Sequence, residues 1–475
     1  KAAGQLKPAY RSRCQGKEDI IVIGIYDQNG LEVQEIAYFG LFALQHRGQE
    51  SAGIAVADGK SISYHKGMGL AAEVFDDQAL DGLKGGRAAI GHVKYTTNSD
   101  RMYANAQPLV TRYKKGAMAL AHNGRLVNTQ SIKKELEDAG IIFQTNLDIE
   151  VIANLIARNI DSGIEEALNR MMSRISGSFA LLIMTEDKLI AIRDPHGISP
   201  LALGKIKDSY VVASESCCFD TIGAEYIRDV KPGEILIIDD KGLTSIQTPV
   251  PLNSALCIFE FVYYARTDST MDGISVYQAR KDAGARLAAE HPVEADMVIG
   301  VPDSGTTAAI GYAEASGILY GEGFIKNRYV GRTFIRPSQH MREQGVRIKL
   351  NALRRIVRGK RLVVVDDSIV RGTTSRKIVE MLRLAGAKEV HMRISSPPVK
   401  FPCRYGIDID TTDQLIGYSY DVDEICKIIG ADSLGYLSLE GLMKTVEAGG
   451  CGFCRGCFNG EYPIDMDNHE SLPEV

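Results

Sequence analysis

The spacing of apolar positions changes near residue 250, and the two parts of the chain predict different architectures. Between residue 20 and about 245, short apolar runs alternate with turn residues, which indicates a series of strands. Helical spacing interrupts them in three places, at 36–47, 147–160 and 163–175. Strands and helices grouped in this way predict α+β layers. From about 255 onward strand and helix patterns alternate, which predicts a parallel α/β sheet.

A polar, proline-bearing segment, TPVPLNSA at 248–255, separates the two patterns. Such composition predicts a linker. The predicted divisions are a leader segment at 1–19, a first domain at 20–250 and a second domain at 255–475.

Residues 361–375, RLVVVDDSIVRGTTS, carry the clearest chemical signal. Their apolar run predicts a buried strand that ends at Asp366 and Asp367, and RGTT at 371–374 leads into an amphipathic helix. Ligands of open parallel sheets bind beyond the carboxyl ends of strands, and helix N-terminal amides hold phosphate there. Adjacent carboxylates can accept hydrogen bonds from two neighbouring sugar hydroxyls. The segment therefore predicts a site for a phosphorylated ribose; the alternative is an ordinary buried strand with an acidic turn.

A second strand end, VIGVPDSG at 298–305, can line the same crevice. Ser304 there is a candidate oxygen ligand, together with Asp366 and Asp367, for Mg²⁺, which prefers octahedral oxygen coordination. A cationic loop between the two strands suits a pyrophosphate leaving group and could close over it; a solvated basic face is the alternative. The loop's cations are Lys326, Arg328, Arg332, Arg336, Arg342 and Arg347.

Composition excludes some partners. The 475 residues carry a formal net charge of −5 without an evident basic face, so no nucleic-acid partner is expected. The longest apolar run, IIVIGIY at 20–26, is far shorter than the roughly 20 residues of a membrane span, so no membrane association is expected. The N-terminal segment is basic but lacks an apolar signal core. This predicts a cytoplasmic protein, or one of the plastid stroma if a transit peptide has been removed.

The nine cysteines do not have the spacing of a disulfide framework. Three of them fall within CGFCRGC at 451–457. Thiols crowded in this way in a reducing compartment indicate metal or iron–sulfur ligation.

Motifs spread over residues 20–465 resemble those of the glutamine phosphoribosylpyrophosphate (PRPP) amidotransferase family. They include LQHRGQESAGI (44–54), IGHVKY (90–95), LAHNG (120–124), FQTNLDIEV (143–151), CIFEFVYYARTDS (257–269), NRYVGRTFI (327–335) and VDDSIVRGTTS (365–375). The resemblance implies an α+β N-terminal nucleophile (Ntn) hydrolase domain of four layers, αββα, that frees ammonia from glutamine. An α/β type I phosphoribosyltransferase domain that uses the ammonia would follow it. The implied PRPP contacts are Lys326, Arg328, Tyr329, Arg332, Asp366, Asp367, Ser368, Arg371, Gly372, Thr373 and Thr374.

The resemblance also implies a cofactor, because family members with this cysteine pattern carry a 4Fe–4S cluster. Its ligands would be Cys257, Cys403, Cys454 and Cys457, with Cys451 as a spare neighbour; a tetrahedral zinc site is the alternative. The family further implies a homodimer or homotetramer and inhibition by purine nucleotides.

The first strand departs from the family pattern. The family's glutaminase begins Cys-Gly-Val-Phe-Gly-Ile, and alignment places Ile20 where the cysteine nucleophile should be. Cys14 lies six residues earlier, but the polar QGKED that follows it does not predict a buried strand. Because leader removal needs the cysteine, residues 1–19 are predicted to stay attached, and they are a candidate plug for the glutamine site.

Other differences fall in the same pocket. Lys94 replaces the arginine that clamps the glutamine carboxylate, and arginine and lysine are not equivalent at such sites. Arg125 replaces an asparagine, and Ser199 replaces an arginine. The residues that still match oxyanion and glutamine-amine contacts are Asn123, Gly124 and Asp148. From these differences the glutamine site is expected to be degenerate, with no catalytic residue of its own.

The leading hypothesis from the sequence is an enzyme that displaces pyrophosphate from PRPP with free ammonia or another small amine and has lost glutaminase activity. One alternative is an ordinary glutamine-dependent amidophosphoribosyltransferase of purine biosynthesis. The other is a non-catalytic paralogue that binds PRPP or nucleotides and regulates a partner.

Overall fold

A computed structural model describes residues 20–95, 103–248, 250, 254–327, 350–406 and 412–464. The predicted leader, residues 1–19, lies outside these ranges, so its retention and its role as a plug stay predictions. Within the described ranges, no helix combines the length and the apolar character needed to cross a membrane.

Two antiparallel sheets form the centre of the first half. Its strands are β1 (Ile20–Tyr26), β2 (Ser51–Ala57), β3 (Ile62–Met68), β4 (Ala88–Lys94), β5 (Leu109–Tyr113), β6 (Gly116–Leu126), β7 (Gly177–Thr185), β8 (Leu189–Arg193), β9 (Ala202–Ile206), β10 (Ser209–Ala213), β11 (Glu225–Asp229), β12 (Glu234–Asp239) and β13 (Gly242–Gln247). The strand order is β11-β9-β10-β1-β4-β2-β3 in one sheet and β13-β12-β8-β7-β6-β5 in the other.

Helices cover the outer faces of these sheets. They are α1 (Val33–Ala43), α2 (Ala71–Val74), α3 (Asp77–Asp81), α4 (Thr129–Asp138), α5 (Asp148–Asn159), α6 (Ile164–Arg174) and α7 (Cys217–Ile222), with 3₁₀ turns at Gln45–Arg47, Tyr103–Asn105 and Ile160–Ser162. Helices α1 and α7 pack on the first sheet and α5 and α6 on the second. A third apolar core lies between the sheets. The layers therefore run helix, sheet, sheet, helix, and the predicted αββα fold is confirmed.

Strand β1 shows why the sheets stack. Successive side chains of a strand point to opposite faces. Ile21, Ile23 and Ile25 join the core beneath α1, whereas Val22 and Tyr26 join the core between the sheets. Because both faces of β1 are apolar, the strand is covered on both sides.

The second half contains a parallel sheet. Its strands are β14 (Leu256–Cys257), β15 (Thr270–Met271), β16 (Ile274–Ser275), β17 (Met297–Gly300), β18 (Phe324–Lys326), β19 (Leu350–Ala352), β20 (Arg361–Asp366), β21 (Glu389–Ile394), β22 (Ser433–Tyr436) and β23 (Phe453–Cys454). Its helices are α8 (Val276–Glu290), α9 (Ser304–Ser316), α10 (Arg354–Val357), α11 (Thr373–Leu384), α12 (Ile416–Ser419), α13 (Val422–Ile429), α14 (Leu439–Lys444) and α15 (Gly456–Asn459). A π-helix spans Glu260–Tyr264, and 3₁₀ turns span Thr412–Gln414 and Glu447–Gly449.

The main sheet of this half has the order β17-β20-β21-β22, and every neighbouring pair is parallel. Helices α8 and α9 cover one face, and α11 and α13 cover the other. This confirms the predicted α/β phosphoribosyltransferase fold. Because β17 and β20 are adjacent and parallel, their carboxyl ends meet at one edge of the sheet.

The segment after the predicted linker joins the two halves. The amide of Ala255 donates to His196 O at 2.7 Å, and the amide of Cys257 donates to Ile198 O at 3.1 Å. Strand β14 also pairs with β23, which places Cys257 opposite Cys454. The two halves therefore share a hydrogen-bonded junction, and the C-terminal cysteine segment is part of it.

Candidate active site

The predicted acid pair lies at the carboxyl end of β20. Asp366 and Asp367 are 7% and 6% exposed. Asp367 accepts hydrogen bonds from the hydroxyls of Ser304 and Ser368, the latter at 2.6 Å, and its amide donates to Asp366 Oδ1 at 3.0 Å. Burial raises the pKa of both carboxyls, and for Asp366 the neighbouring charge of Asp367 adds to the effect. Two buried acids side by side favour a cation at this place.

Ser304 is the first residue of α9, which begins just after β17. The fold thus brings it to the acid pair across 63 residues of sequence. Three oxygen-bearing side chains, Ser304, Asp366 and Asp367, meet here, and this donor set fits the oxygen preference of Mg²⁺.

The segment predicted to bind phosphate follows the acid pair and leads into α11. Gly372 precedes the first turn of α11 with φ +75°, and a Cβ at this position would lie 2.7 Å from Ile416 Cδ1. A glycine is therefore needed to start the helix here. Thr373 and Thr374 are exposed in the first turn, where helix amides have no intrahelical acceptors. Arg371 is exposed and donates to Gln414 Oε1 at 2.5 Å.

The predicted cationic loop is described only at its start. Lys326 ends β18, and its ammonium contacts the carboxylate of Asp303 beside α9. The other predicted cations and Tyr329 lie outside the described residues, so their contacts stay predictions: Arg328, Arg332, Arg336, Arg342 and Arg347.

The predicted glutamine pocket lies where β1, β4 and β6 approach one another. Ile20 pairs with Lys94 at the ends of β1 and β4, and Lys94 is buried. Gly124 has φ +126°, and a Cβ there would overlap the backbone carbonyl of Ser178. Gly124 therefore permits a close approach of β6 to β7 next to Asn123.

Asp148, a predicted glutamine contact, lies beside the end of β6. It is the first residue of α5, and its Oδ2 accepts from the amide of Leu126 at 2.9 Å. The two substituted positions, Arg125 and Ser199, lie close by, and Ser199 Oγ is 2.6 Å from Ser178 Oγ.

Two buried histidines also belong to this region and were missed from the sequence. Burial lowers the pKa of His122 to about 4; Asp148 opposes that shift and Lys94 adds to it. Burial also lowers the pKa of His92. Within the described part of the chain, neither ring nitrogen of His92 has a hydrogen-bond partner. The sequence did carry a signal for them, a histidine within an otherwise apolar strand: His92 in GHVKY and His122 in LAHNG.

The four predicted cluster ligands face a single cavity at the junction of the two halves. This junction cleft has a volume of about 680 Å³, which includes the open solvent at its mouth, and is lined by Asn123, Gly124, Glu260, Tyr264, Cys257, Cys403, Cys454 and Cys457, among others. Burial raises the pKa of the Cys257 and Cys457 thiols and raises that of Cys454 to about 12. Across the described ranges, no three His, Cys, Asp or Glu side chains converge tightly enough to hold a single metal ion.

The remaining described cysteines have other surroundings. Cys217 and Cys218 are fully buried in the core beneath α1, as small apolar residues. Cys426 is partly buried on α13. Cys451 is near Asp272 and Arg193 and is not among the residues that line the cleft.

Comparisons with known proteins match both halves. A glutamine amidotransferase domain family matches residues 94–221, and a phosphoribosyl transferase domain family matches residues 273–395. Amidophosphoribosyltransferase from Bacillus subtilis is 52% identical over 463 residues, covering 96% of this chain and 97% of the relative. The enzyme of the same name from Archaeoglobus fulgidus is 51% identical, covering 94% of this chain and 99% of the relative.

A solved structure agrees with the sequence relatives. Glutamine PRPP amidotransferase from B. subtilis, complexed with ADP and GMP, superimposes with a TM-score of 0.88 at 52% identity, covering 94% of this chain and 98% of that one. A second structure, described as the allosteric regulatory enzyme of purine biosynthesis, gives a TM-score of 0.89 with 95% and 98% coverage.

These similarities correct the leading functional hypothesis. An enzyme that has lost glutamine use is contradicted by about 50% identity to amidophosphoribosyltransferases over nearly the whole chain, the amidotransferase half included. The hypothesis depended mainly on Ile20, a single residue at the start of β1. The residues before it, Cys14 among them, lie outside the described structure. The similarities favour the glutamine-dependent alternative. The chain is a pentosyltransferase and belongs to the amidophosphoribosyltransferase family.

Proposed function

We propose that this chain transfers the amide nitrogen of glutamine to PRPP, giving a phosphoribosylamine, pyrophosphate and glutamate. The observation that carries the proposal is the buried acid pair at the end of β20, with Ser304 beside it and the exposed first turn of α11 next to it. The same chain matches an amidotransferase domain family and a phosphoribosyl transferase domain family, which supports one domain for each half-reaction.

In the phosphoribosyl half-reaction, ammonia attacks C1 of the ribose while the bond from C1 to the pyrophosphate oxygen breaks, and the C1 ammonium group that forms loses a proton to water. The carboxylates of Asp366 and Asp367 accept hydrogen bonds from the two sugar hydroxyls, and the amides of Thr373 and Thr374 hold the 5-phosphate. Mg²⁺, held by Ser304 and the acid pair, would neutralise charge on the departing pyrophosphate. The protein contributes mainly position and charge, since ammonia needs no general base once it is free.

In the amide half-reaction, a thiolate attacks the glutamine amide carbon, the carbon–nitrogen bond breaks and ammonia leaves; water then releases glutamate. Asn123 and the backbone at Gly124 are placed to stabilise the oxyanion. Asp148 can bind the glutamine amine. Lys94 can pair with the glutamine carboxylate as a single charge, without the bidentate hydrogen bonds that an arginine would make. Ile20 has no nucleophilic atom, so the thiol must come from elsewhere, and Cys14 is the cysteine that precedes β1 in the sequence.

An assay of the two nitrogen sources tests this function. With PRPP and Mg²⁺, glutamine should support release of pyrophosphate and glutamate in equal amounts, and ammonium should support pyrophosphate release alone. The blank is the same buffer without PRPP and without any amine. Pyrophosphate release with ammonium but no glutamate formation from glutamine would contradict the glutamine-dependent reaction.

The junction cleft supports a 4Fe–4S cluster as part of the same proposal. Four thiols from three chain segments line one cavity. Thiolates are the usual ligands of iron–sulfur clusters, so these residues fit the group, and when bound it would tie β14, β23 and the segment around Cys403 together.

Spectroscopy of anaerobically purified protein checks this assignment. Iron and sulfide should be present in equal amounts with broad visible absorption, and Cys454→Ser should lose both. Cys451→Ser is the matched control, because Cys451 lies nearby but outside the cleft lining. Zinc without iron in the unmodified protein would rule out the cluster.

Nucleotide binding is part of the same proposal. The solved B. subtilis enzyme is complexed with ADP and GMP, and we extend nucleotide binding to this chain as part of the proposal. The homodimeric or homotetrameric state and the cytoplasmic or stromal location remain predictions from the sequence.

A further inference from the structure

The loop between the acid pair and α11 is held by a separate segment of the chain. Three consecutive residues of this loop, Val370, Arg371 and Gly372, each contact Gln414 or Ile416. The amide of Ile416 donates to Val370 O at 2.9 Å, and Arg371 Nη2 donates to Gln414 Oε1 at 2.5 Å. A Cβ at Gly372 would lie 2.7 Å from Ile416 Cδ1, so that side chain lies directly against the glycine. Backbone, side chain and packing therefore fix the same short loop.

The supporting segment, residues 412–419, is itself firmly anchored. It consists of a 3₁₀ turn followed by α12. Leu415 and Ile416 are 1% and 7% exposed, and they join the two apolar cores on opposite faces of the parallel sheet. A Cβ at Gly417 would lie 2.8 Å from Val399 O, so the backbone also packs closely on a neighbouring loop. The segment can therefore act as a fixed support, because close-packed elements resist compression.

Gln414 is the residue of this support that contacts a charged side chain of the loop. The oxygen of an amide is a neutral acceptor, so it orients the guanidinium of Arg371 without cancelling its charge. Arg371 precedes the first turn of α11, where backbone amides have no intrahelical acceptors. A guanidinium fixed beside such amides suits a phosphate, which arginine binds with charge-assisted hydrogen bonds.

We propose that Gln414 is a positioning residue for the 5-phosphate of PRPP. It holds the Arg371 guanidinium in the orientation that binds the phosphate, while Ile416 supports the backbone at Gly372. Gln414 acts through Arg371 and not on the reacting atoms. The inference rests on the proposed function, because it requires the 5-phosphate to lie at the start of α11.

Steady-state kinetics of the full chain, with ammonium as the nitrogen source, test this role. Gln414→Leu should raise the KM for PRPP about three- to tenfold, the usual effect of losing one hydrogen bond. The kcat should stay within about twofold, since the lost interaction is made equally in the ground and transition states. The inhibition constant of ribose 5-phosphate should rise by the same factor, and that of pyrophosphate should not change. Gln414→Glu keeps an acceptor oxygen and should keep the unmodified KM or lower it.

A double-mutant cycle separates positioning from a general effect on stability. Gln414 and Arg371 are both exposed, so neither substitution should prevent folding. Arg371→Met alone should raise the KM for PRPP, and adding Gln414→Leu to it should raise the KM no further. Two residues that act through one contact are not additive, whereas independent effects are.

Gln278→Leu is the matched control. Gln278 is an exposed glutamine on α8, and its Nε2 donates to Asp282 Oδ1 at 2.8 Å. This variant should behave like the unmodified protein. A KM change below twofold in Gln414→Leu, or the same change with and without Arg371→Met, would overturn the positioning role. No release of pyrophosphate by the unmodified protein with PRPP and ammonium would instead refute the proposed function, and the positioning role with it.

Discussion

Asp367→Asn is expected to reduce pyrophosphate release from PRPP by about 10²–10³-fold, the usual loss when one preorganised electrostatic group is removed. The reduction should be the same with glutamine and with ammonium, because Asp367 belongs to the site that both nitrogen sources use. Asparagine keeps the size of the side chain and can still contact Ser304 and Ser368. The lost quantity is therefore the negative charge that Mg²⁺ and the sugar hydroxyls require.

Asp296→Asn is the control for this variant. Asp296 accepts hydrogen bonds from the amide and guanidinium of Arg361 at the opposite end of β20, at 2.8 and 2.9 Å. The Asp296→Asn variant therefore removes an acid that contacts the same strand but lies far from the proposed PRPP site. Its rate should stay within about twofold of the unmodified rate, since surface ion pairs contribute little to stability. If Asp367→Asn retained more than a tenth of the unmodified rate while Asp296→Asn behaved as expected, the acid pair would not be the PRPP site.

Cys14→Ser is expected to abolish use of glutamine, by about a thousandfold or more, while turnover with ammonium is kept. A hydroxyl is a far weaker nucleophile than a thiolate, and ammonium bypasses the amide half-reaction. Parallel assays of glutamate and pyrophosphate release, with each nitrogen source, separate the two half-reactions in one preparation.

Cys426→Ser is the control here, because Cys426 is a partly buried cysteine on α13 in the other half of the chain. It should change neither half-reaction. If Cys14→Ser and the unmodified protein released glutamate at equal rates, another group would supply the nucleophile. The residue at position 20 would then not decide whether this chain can use glutamine.

Local sequence patterns were enough to predict that the acid pair ends a buried strand and that a helix begins just after Gly372. Asp366, Asp367 and Gly372 lie within seven residues, and a buried strand followed by an amphipathic helix fixes how they are presented. The same reasoning predicted two domains of different class. The same reasoning predicted the wrong function for the first half. It relied on one residue, Ile20, whereas the predicted glutamine pocket is formed by residues of β4, β6 and α5.

Residues close together along the chain were enough to predict the strands and helices, the faces they bury and the place of the two acids at the end of β20. Three contacts became visible only in the complete fold: Ser304 meets Asp367, four cysteines from separate segments share one cleft, and Arg47 and Arg280 both bind one π-helix. The physical reason is that a buried charge or thiol finds its partner through packing of whole elements, and apolar periodicity specifies which face is buried but not which distant face it will meet.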